Sequence, residues 1–126
     1  SAHFNLAAAL HNRGDFEGAI AEYKEALKLR GEDASILMNL GSSAASAGQA
    51  ALAMDAFDRA VKAAPGSAST WAMKGELLIN MYKVTRNRTD LERAKECFAK
   101  ALEIDPNDPR ARAYEKDVAQ FEKEGK

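Results

Sequence analysis

Few residues in this chain could carry chemistry. There are two histidines, His3 and His11, and one cysteine, Cys97. The histidines stand eight residues apart, more than two turns of a helix that carries both, so one metal ion could not take both as ligands. No His-x-x-x-His or Cys-x-x-Cys spacing occurs. Cys97 lies beside Phe98 with no histidine near it in sequence, which fits a packing thiol better than a nucleophile. A single cysteine also excludes an internal disulfide. Gly41-Ser42-Ser43 lacks the Gly-Lys-Ser/Thr that would complete a phosphate loop. Glu32/Asp33 and Glu103/Asp105 sit beside helix breakers and read as solvated ends, because catalytic carboxylates need a shared cleft. Lys83, Arg86 and Arg88 form a basic run with no aromatic residue between them. It reads as an exposed extension and loop, with an acidic partner as the functional alternative and no platform for nucleic acid. The expectation is a chain with no catalytic residue, no cofactor and no metal.

What remains is a set of amides. Asn5 and Asn39 are 34 residues apart, and that interval recurs throughout the chain. Ala7, Gly41 and Gly75 keep it. Ala19, Ala53 and Ala94 are spaced 34 then 41, as are Tyr23, Phe57, Phe98 and Ala26, Ala60, Ala101. Gly31, Pro65 and Pro106 mark the same interval at the breaks. One period with one shared insertion defines a repeat.

Each repeat reads as two helices. The first is predicted at 2–12, 35–47 and 69–82, and the second at 16–29, 50–63 and 90–104. Leu37, Leu40, Gly41 and Ala44 have helical spacing, alanine is frequent, and Gly14, Gly48, Gly31, Pro65-Gly66 and Asp105-Pro106 break the segments. The small columns predict close helix approach, with Tyr23, Phe57 and Phe98 filling the gap. Thr89-Asp90-Leu91-Glu92 has the form of a capping box and is expected to restart the second helix after the insertion. Asp108-Pro109 predicts a further helix start, and Ala111, Tyr114, Val118 and Phe121 give it one apolar stripe. That charged helix is expected to close the stack, with Lys126 near its end, while the start of the chain carries no comparable cap.

Hydrophobic residues make up 46% of the 126, enough for a packed core, and charged residues make up 29%. A net charge of −1 supplies no field toward nucleic acid or acidic membranes, and no apolar run is long enough for a membrane span. Ser1–Leu10 lacks the pattern of a signal peptide. With the single cysteine, this makes a cytoplasmic location the expectation.

These residues resemble the tetratricopeptide repeat (TPR), over about residues 1–108. Asn39 to Pro65 forms a near-complete unit, and Trp71 to Leu78 supplies the family's Trp and Gly. Ala7 and Gly31 depart from the usual Gly and Pro, and Lys74 stands where Leu is expected. His3 takes the family's Trp place and is expected to pack partly buried. The resemblance implies an all-α fold: a right-handed α-solenoid of three TPR helical hairpins plus a C-terminal capping helix. The implied divisions are 1–33, 34–67, 68–108 with a seven-residue insertion near 83–89, and 109–126 for the cap.

By the same resemblance, the first helices line a concave groove that binds protein segments. Its positions fall on Phe4, Asn5, Ala8, His11 and Asn12; on Ser35, Met38, Asn39, Ser42, Ala45 and Ser46; and on Ser69, Ala72, Met73, Glu76, Ile79 and Asn80. This surface is nearly uncharged. An amide both donates and accepts, so Asn5 and Asn39 are expected to hold the backbone of an extended peptide. Phe4, Met38 and Met73 are expected to meet its side chains, with the adaptability of methionine. Met73 breaks the asparagine ladder. Relatives that hold the C-terminal tails of Hsp70 or Hsp90 use a Lys/Asn/Arg clamp. Of those places only Asn39 is kept, while Phe4, Ala8, Ser69 and Met73 cannot pair with a carboxylate, so those tails are not expected partners. The expected function is a protein–protein interaction module, an adaptor or scaffold. The alternatives are a self-assembly module stacking through its first hairpin as a homo-oligomer, and a non-catalytic domain of a larger enzyme.

Overall fold

Four side chains set where helices begin. Asp15, Asp33, Asn87 and Asp108 each turn an oxygen onto a backbone N–H just downstream. Gly18 N donates at 2.9 Å, Ile36 N at 3.2 Å, Thr89 N at 3.0 Å and Ala111 N at 2.9 Å. Each bond satisfies one of the donors a helix start leaves unpaired. Between paired helices, Gly14 and Gly48 take φ of 85° and 78°, left-handed values that suit glycine and let the chain reverse quickly. The structure, a computed structural model, describes residues 2–124. Those residues form seven helices: α1 (Ala2–Asn12), α2 (Phe16–Arg30), α3 (Ala34–Ser46), α4 (Ala50–Ala63), α5 (Ala68–Thr85), α6 (Arg88–Ile104) and α7 (Pro109–Glu124). Ser1 and Lys126, the outer limits of the expected first repeat and cap, lie outside the described residues, as does Gly125.

The chain divides into two compact units, Ser1–Ala64 and Pro65–Lys126. In the first, α1 pairs with α2, α3 with α4, and α2 packs on α3. In the second, α5 pairs with α6, and α7 lies against both.

Hairpin packing rests on a small residue facing a ring, as the repeat columns predict. A Cβ added at Gly41 would stand 2.6 Å from Phe57 Cε1, and one at Gly75 2.7 Å from Phe98 Cε1. The rings therefore sit where a side chain would begin. Ala7 and Tyr23 occupy the same columns in the first hairpin, and both are buried. The alanine columns at 19, 53 and 94 and at 26, 60 and 101 have no exposed surface at all. Such interfaces have no room to adjust, because interiors pack at crystal-like density.

The insertion is absorbed mainly as helix. α5 runs on to Thr85 and α6 starts at Arg88. Two expectations change here. The cap that restarts α6 is Asn87, whose extended backbone aims Oδ1 at Thr89 N, so Thr89 falls inside the helix and no capping box forms. Asp90 is buried and accepts from Thr85 Oγ1 at 3.3 Å. Nor is Arg86 simply an exposed loop cation. It holds a left-handed φ of 57°, with its guanidinium 5.4 Å from the Tyr82 ring centre and 5.6 Å from that of Phe121, and 3.9 Å from Glu124. Cation–π contacts of this kind offset part of the cost of a left-handed non-glycine residue.

Helix α7 follows its expected stripe. Ala111 and Val118 are buried, Tyr114 stacks on Phe98 at 5.4 Å between ring centres, and Phe121 meets Tyr82 edge-on at 5.2 Å. Lys95 pairs with Glu122 at 3.0 Å. Cys97 is buried, in keeping with a packing thiol.

Two predictions follow from this packing. Gly41→Ala should gain up to about 1 kcal/mol of helix propensity yet lose about 1–3 kcal/mol to overpacking against Phe57, for a net loss. Phe57→Leu should relieve it, so a urea-denaturation double-mutant cycle should show a coupling of about 0.5–3 kcal/mol, and additive effects would refute the contact. Asp108→Ala should cost about 0.5–2 kcal/mol and lower amide-exchange protection at the start of α7 first. Unchanged protection there would mean that the cap is not what starts α7.

Candidate functional site

In the first unit, turns and caps bring the ends of α1 and α3 together. A cleft of about 120 Å³ is lined by Ala8, His11, Asn12, Tyr23, Asn39 and Ser42. Four expected site residues thus share one place: His11, Asn12, Asn39 and Ser42. Asn39 is half-buried and Asn12 exposed. Among the described residues, neither side-chain amide is hydrogen-bonded within the protein. His11 forms a wall of the cleft. Its Nδ1 shares a 2.8 Å hydrogen bond with Ser43 Oγ, which is fully buried, and its ring meets Phe16 edge-on at 5.0 Å. That bond ties α1 to α3.

Other expected residues lie outside this cleft. Asn5 is exposed, Met38 is half-buried, and Phe4 is half-buried edge-on to Tyr23 at 5.7 Å. His3 is also half-buried, with Nδ1 2.6 Å from Glu22 Oε2. Tyr23 is the addition that sequence reasoning placed only in the core. Burial pushes its phenol pKa up. The available signal was that its column carries a hydroxyl here and plain phenyl rings at Phe57 and Phe98.

The second unit has a wider cleft, about 540 Å³, lined by Ser69, Glu76, Asp108, Pro109, Arg110, Ala113 and Tyr114. Arg110 Nε lies 3.5 Å from Glu76 Oε2, and the same carboxylate acts on the Tyr114 hydroxyl. Glu76, expected as a lone groove charge, is therefore held from α7. Arg110 and Tyr114 follow Ser69 and Met73 by 41 residues, so the repeat columns continued past 108 would have pointed to them. Met73 is half-buried and Asn80 exposed, and neither lines this cleft. Two groove positions are corrected: Ala72 and Ile79 have no exposed surface, so they pack in the interior and can touch no ligand.

Chemically these clefts can hold backbone and side-chain polar groups. Among the described residues, no group of three His, Cys, Asp or Glu side chains could hold a metal ion, and no helix is long and apolar enough to cross a membrane. Burial first, and the Glu76 carboxylate second, push the Tyr114 phenol up to about 12 from 10.0. Both effects favour the neutral phenol in the folded chain. Its contribution is complete below about pH 10 and is lost as pH rises toward about 12. Phenolate difference absorbance between the parent and Tyr114→Phe should show that late step, and Glu76→Gln should move it only part of the way down. A Tyr114 midpoint at 10 would contradict the partial burial of the phenol beside Glu76.

Known proteins bear on this geometry. Sequence models of the tetratricopeptide repeat match residues 4–68 and 86–108. A search of curated protein sequences gives no match. Among solved structures, the Sgt2 TPR domain from Aspergillus fumigatus is similar at 20% identity over 98% of this chain and 78% of its own, with a TM-score of 0.86. The first TPR of Spaghetti (RPAP3), bound to an HSP90 peptide, is similar at 18% identity over 94% and 89%, with a TM-score of 0.82. The Yersinia enterocolitica type III secretion chaperone SycD, in complex with a peptide of the translocator YopD, gives 18%, 94%, 86% and 0.75. At such identities the likeness is one of fold, an all-α helical repeat. With more than half of its residues inside the first family match, the chain belongs to the tetratricopeptide repeat family.

Proposed function

We propose that this chain is a protein–protein interaction module whose first unit holds an extended segment of a partner, and that it performs no catalysis. The observation that carries the reading is the pair of unbonded amides, Asn12 and Asn39, lining one cleft with His11, Ser42 and Tyr23. An amide facing a cleft can donate to a peptide carbonyl and accept from a peptide N–H at once, which fits backbone rather than side-chain recognition. Asn5 adds a further amide for the ligand backbone, and Phe4 and Met38 meet ligand side chains; Met73, Glu76 and Asn80 are the equivalent positions of the second unit. Peptide-bound TPR neighbours support the reading as likeness of fold.

The ligand is a neutral segment, not an acidic chaperone tail. The neighbour with the HSP90 peptide binds SRMEEVD. Here the clamp places hold Phe4, Ala8, Ser69 and Met73, none of which can pair with a carboxylate, and only Asn39 is kept.

Panning the chain against a displayed peptide library, beside an Asn5→Ala/Asn39→Ala variant, tests the proposal. Peptides should enrich on the parent and be lost on the variant. Asn39→Ala alone should weaken an enriched peptide by about 1–3 kcal/mol by calorimetry, with little change in melting. Equal enrichment on both proteins, or tight binding of the chaperone tail peptide, would overturn the assignment.

A further inference from the structure

A buried hydroxyl normally finds a hydrogen-bond partner, because giving up water without replacing it is costly. Tyr23 departs from that pattern. Only 3% of the residue is exposed, and burial by itself pushes its phenol pKa up. Among the described residues its hydroxyl has no hydrogen bond. Nor is that oxygen sealed in the core, since Tyr23 lines the amide cleft of the first unit.

The packing does not need this hydroxyl. Phe57 and Phe98 hold the same column in the other hairpins and rest on Gly41 and Gly75 with plain phenyl rings. The Tyr23 ring already meets Phe4 edge-on at 5.7 Å. Its oxygen therefore serves the cleft and not the core. Other polar atoms line the same space. His11 commits Nδ1 to Ser43, which leaves Nε2 without a partner among the described residues, and the Ser42 hydroxyl is unbonded there too.

We propose that Tyr23 sets the sequence preference of this cleft, which takes the side-chain carboxamide of an asparagine or glutamine in the bound segment. The inference rests on the peptide-holding reading of the same cleft and names the side chain it selects. A carboxamide carries one acceptor and two donors. The Tyr23 hydroxyl donates to its oxygen. Its NH2 group donates to Ser42 Oγ, and to His11 Nε2 when Nδ1 carries the ring proton. Asn12 and Asn39 stay with the ligand backbone. A charged side chain is disfavoured, because no Lys, Arg, Asp or Glu lines the cleft to answer it. An aliphatic one would expel water and leave the Tyr23 hydroxyl dry and unpaired. At about 120 Å³ the space is below the roughly 300–1,000 Å³ of a drug-sized ligand pocket, so it suits one short side chain.

The probes are three blocked peptides, acetyl-Ala-X-Ala-amide with asparagine, aspartate or leucine at X, titrated into the parent and Tyr23→Phe. Binding is followed by the NMR shifts of the side-chain amide signals of Asn12 and Asn39. The asparagine peptide should give saturable shifts on the parent and bind more tightly than the other two. Tyr23→Phe should weaken it by roughly three- to tenfold, leave the leucine peptide unchanged, and melt like the parent, because a phenyl ring already fills this column twice. A merely structural Tyr23 would instead lower the melting temperature and weaken every peptide alike. That result, an asparagine preference kept by Tyr23→Phe, or equal or no binding of the three peptides, would overturn the inference. The two readings fail separately. Library peptides that need Asn39 but carry no asparagine or glutamine, and bind Tyr23→Phe equally, would leave the interaction module standing and remove the carboxamide. Peptides indifferent to Asn5 and Asn39 would remove both.

Discussion

A phenyl ring resting on a helix backbone that has no Cβ is the contact on which this structure depends. Phe57 lies on Gly41, and Phe98 on Gly75, closer than any other residue type would allow. A buried phenylalanine side chain contributes about 1.5–3 kcal/mol, and only close helix approach realises it. That approach in turn requires the fully buried alanines on the second helices. The caps at Asp15, Asp33, Asn87 and Asp108 and the reversals at Gly14 and Gly48 then set each helix at the point along its partner where notch and ring meet.

The candidate site inherits its rigidity from that packing. Tyr23 is both the ring of the first hairpin and a wall of the amide cleft. His11, held between buried Ser43 and Phe16, ties α1 to α3, so Asn12 and Asn39 are presented on helices already fixed by the core. Helices fixed in this way leave little backbone freedom to lose in any contact made there. The second unit solves a different problem. In its cleft Glu76 answers Arg110 and Tyr114 from α7, a partly exposed set of contacts that solvent keeps modest.

Where the third hairpin departs from the other two, the departures are compensated within the second unit. Seven extra residues lengthen α5 and advance α6, and the left-handed turn at Arg86 is braced by Tyr82, Phe121 and Glu124. The same contacts hold the far end of α7, while Asp108 and Arg110 hold its start. A closing helix with few buried residues is thus fastened at both ends by polar and aromatic contacts as well as by its stripe.

The sequence by itself determined the helices, the repeat family and the notch-and-ring columns. A 34-residue register, helical spacing and glycine or proline breaks are local signals that each residue carries wherever the chain goes. The tertiary structure alone decided which residues meet. Asn87 rather than Thr89 starts α6, because capping depends on backbone angles set by the turn at Arg86. Ala72 and Ile79 point inward, because burial depends on what packs around a helix and not on its own spacing. Arg110 and Tyr114 join Glu76 across residues distant in sequence, and His11 finds Ser43 in the same way. Hydrogen bonds and burial are properties of pairs, and no single segment of sequence contains both members.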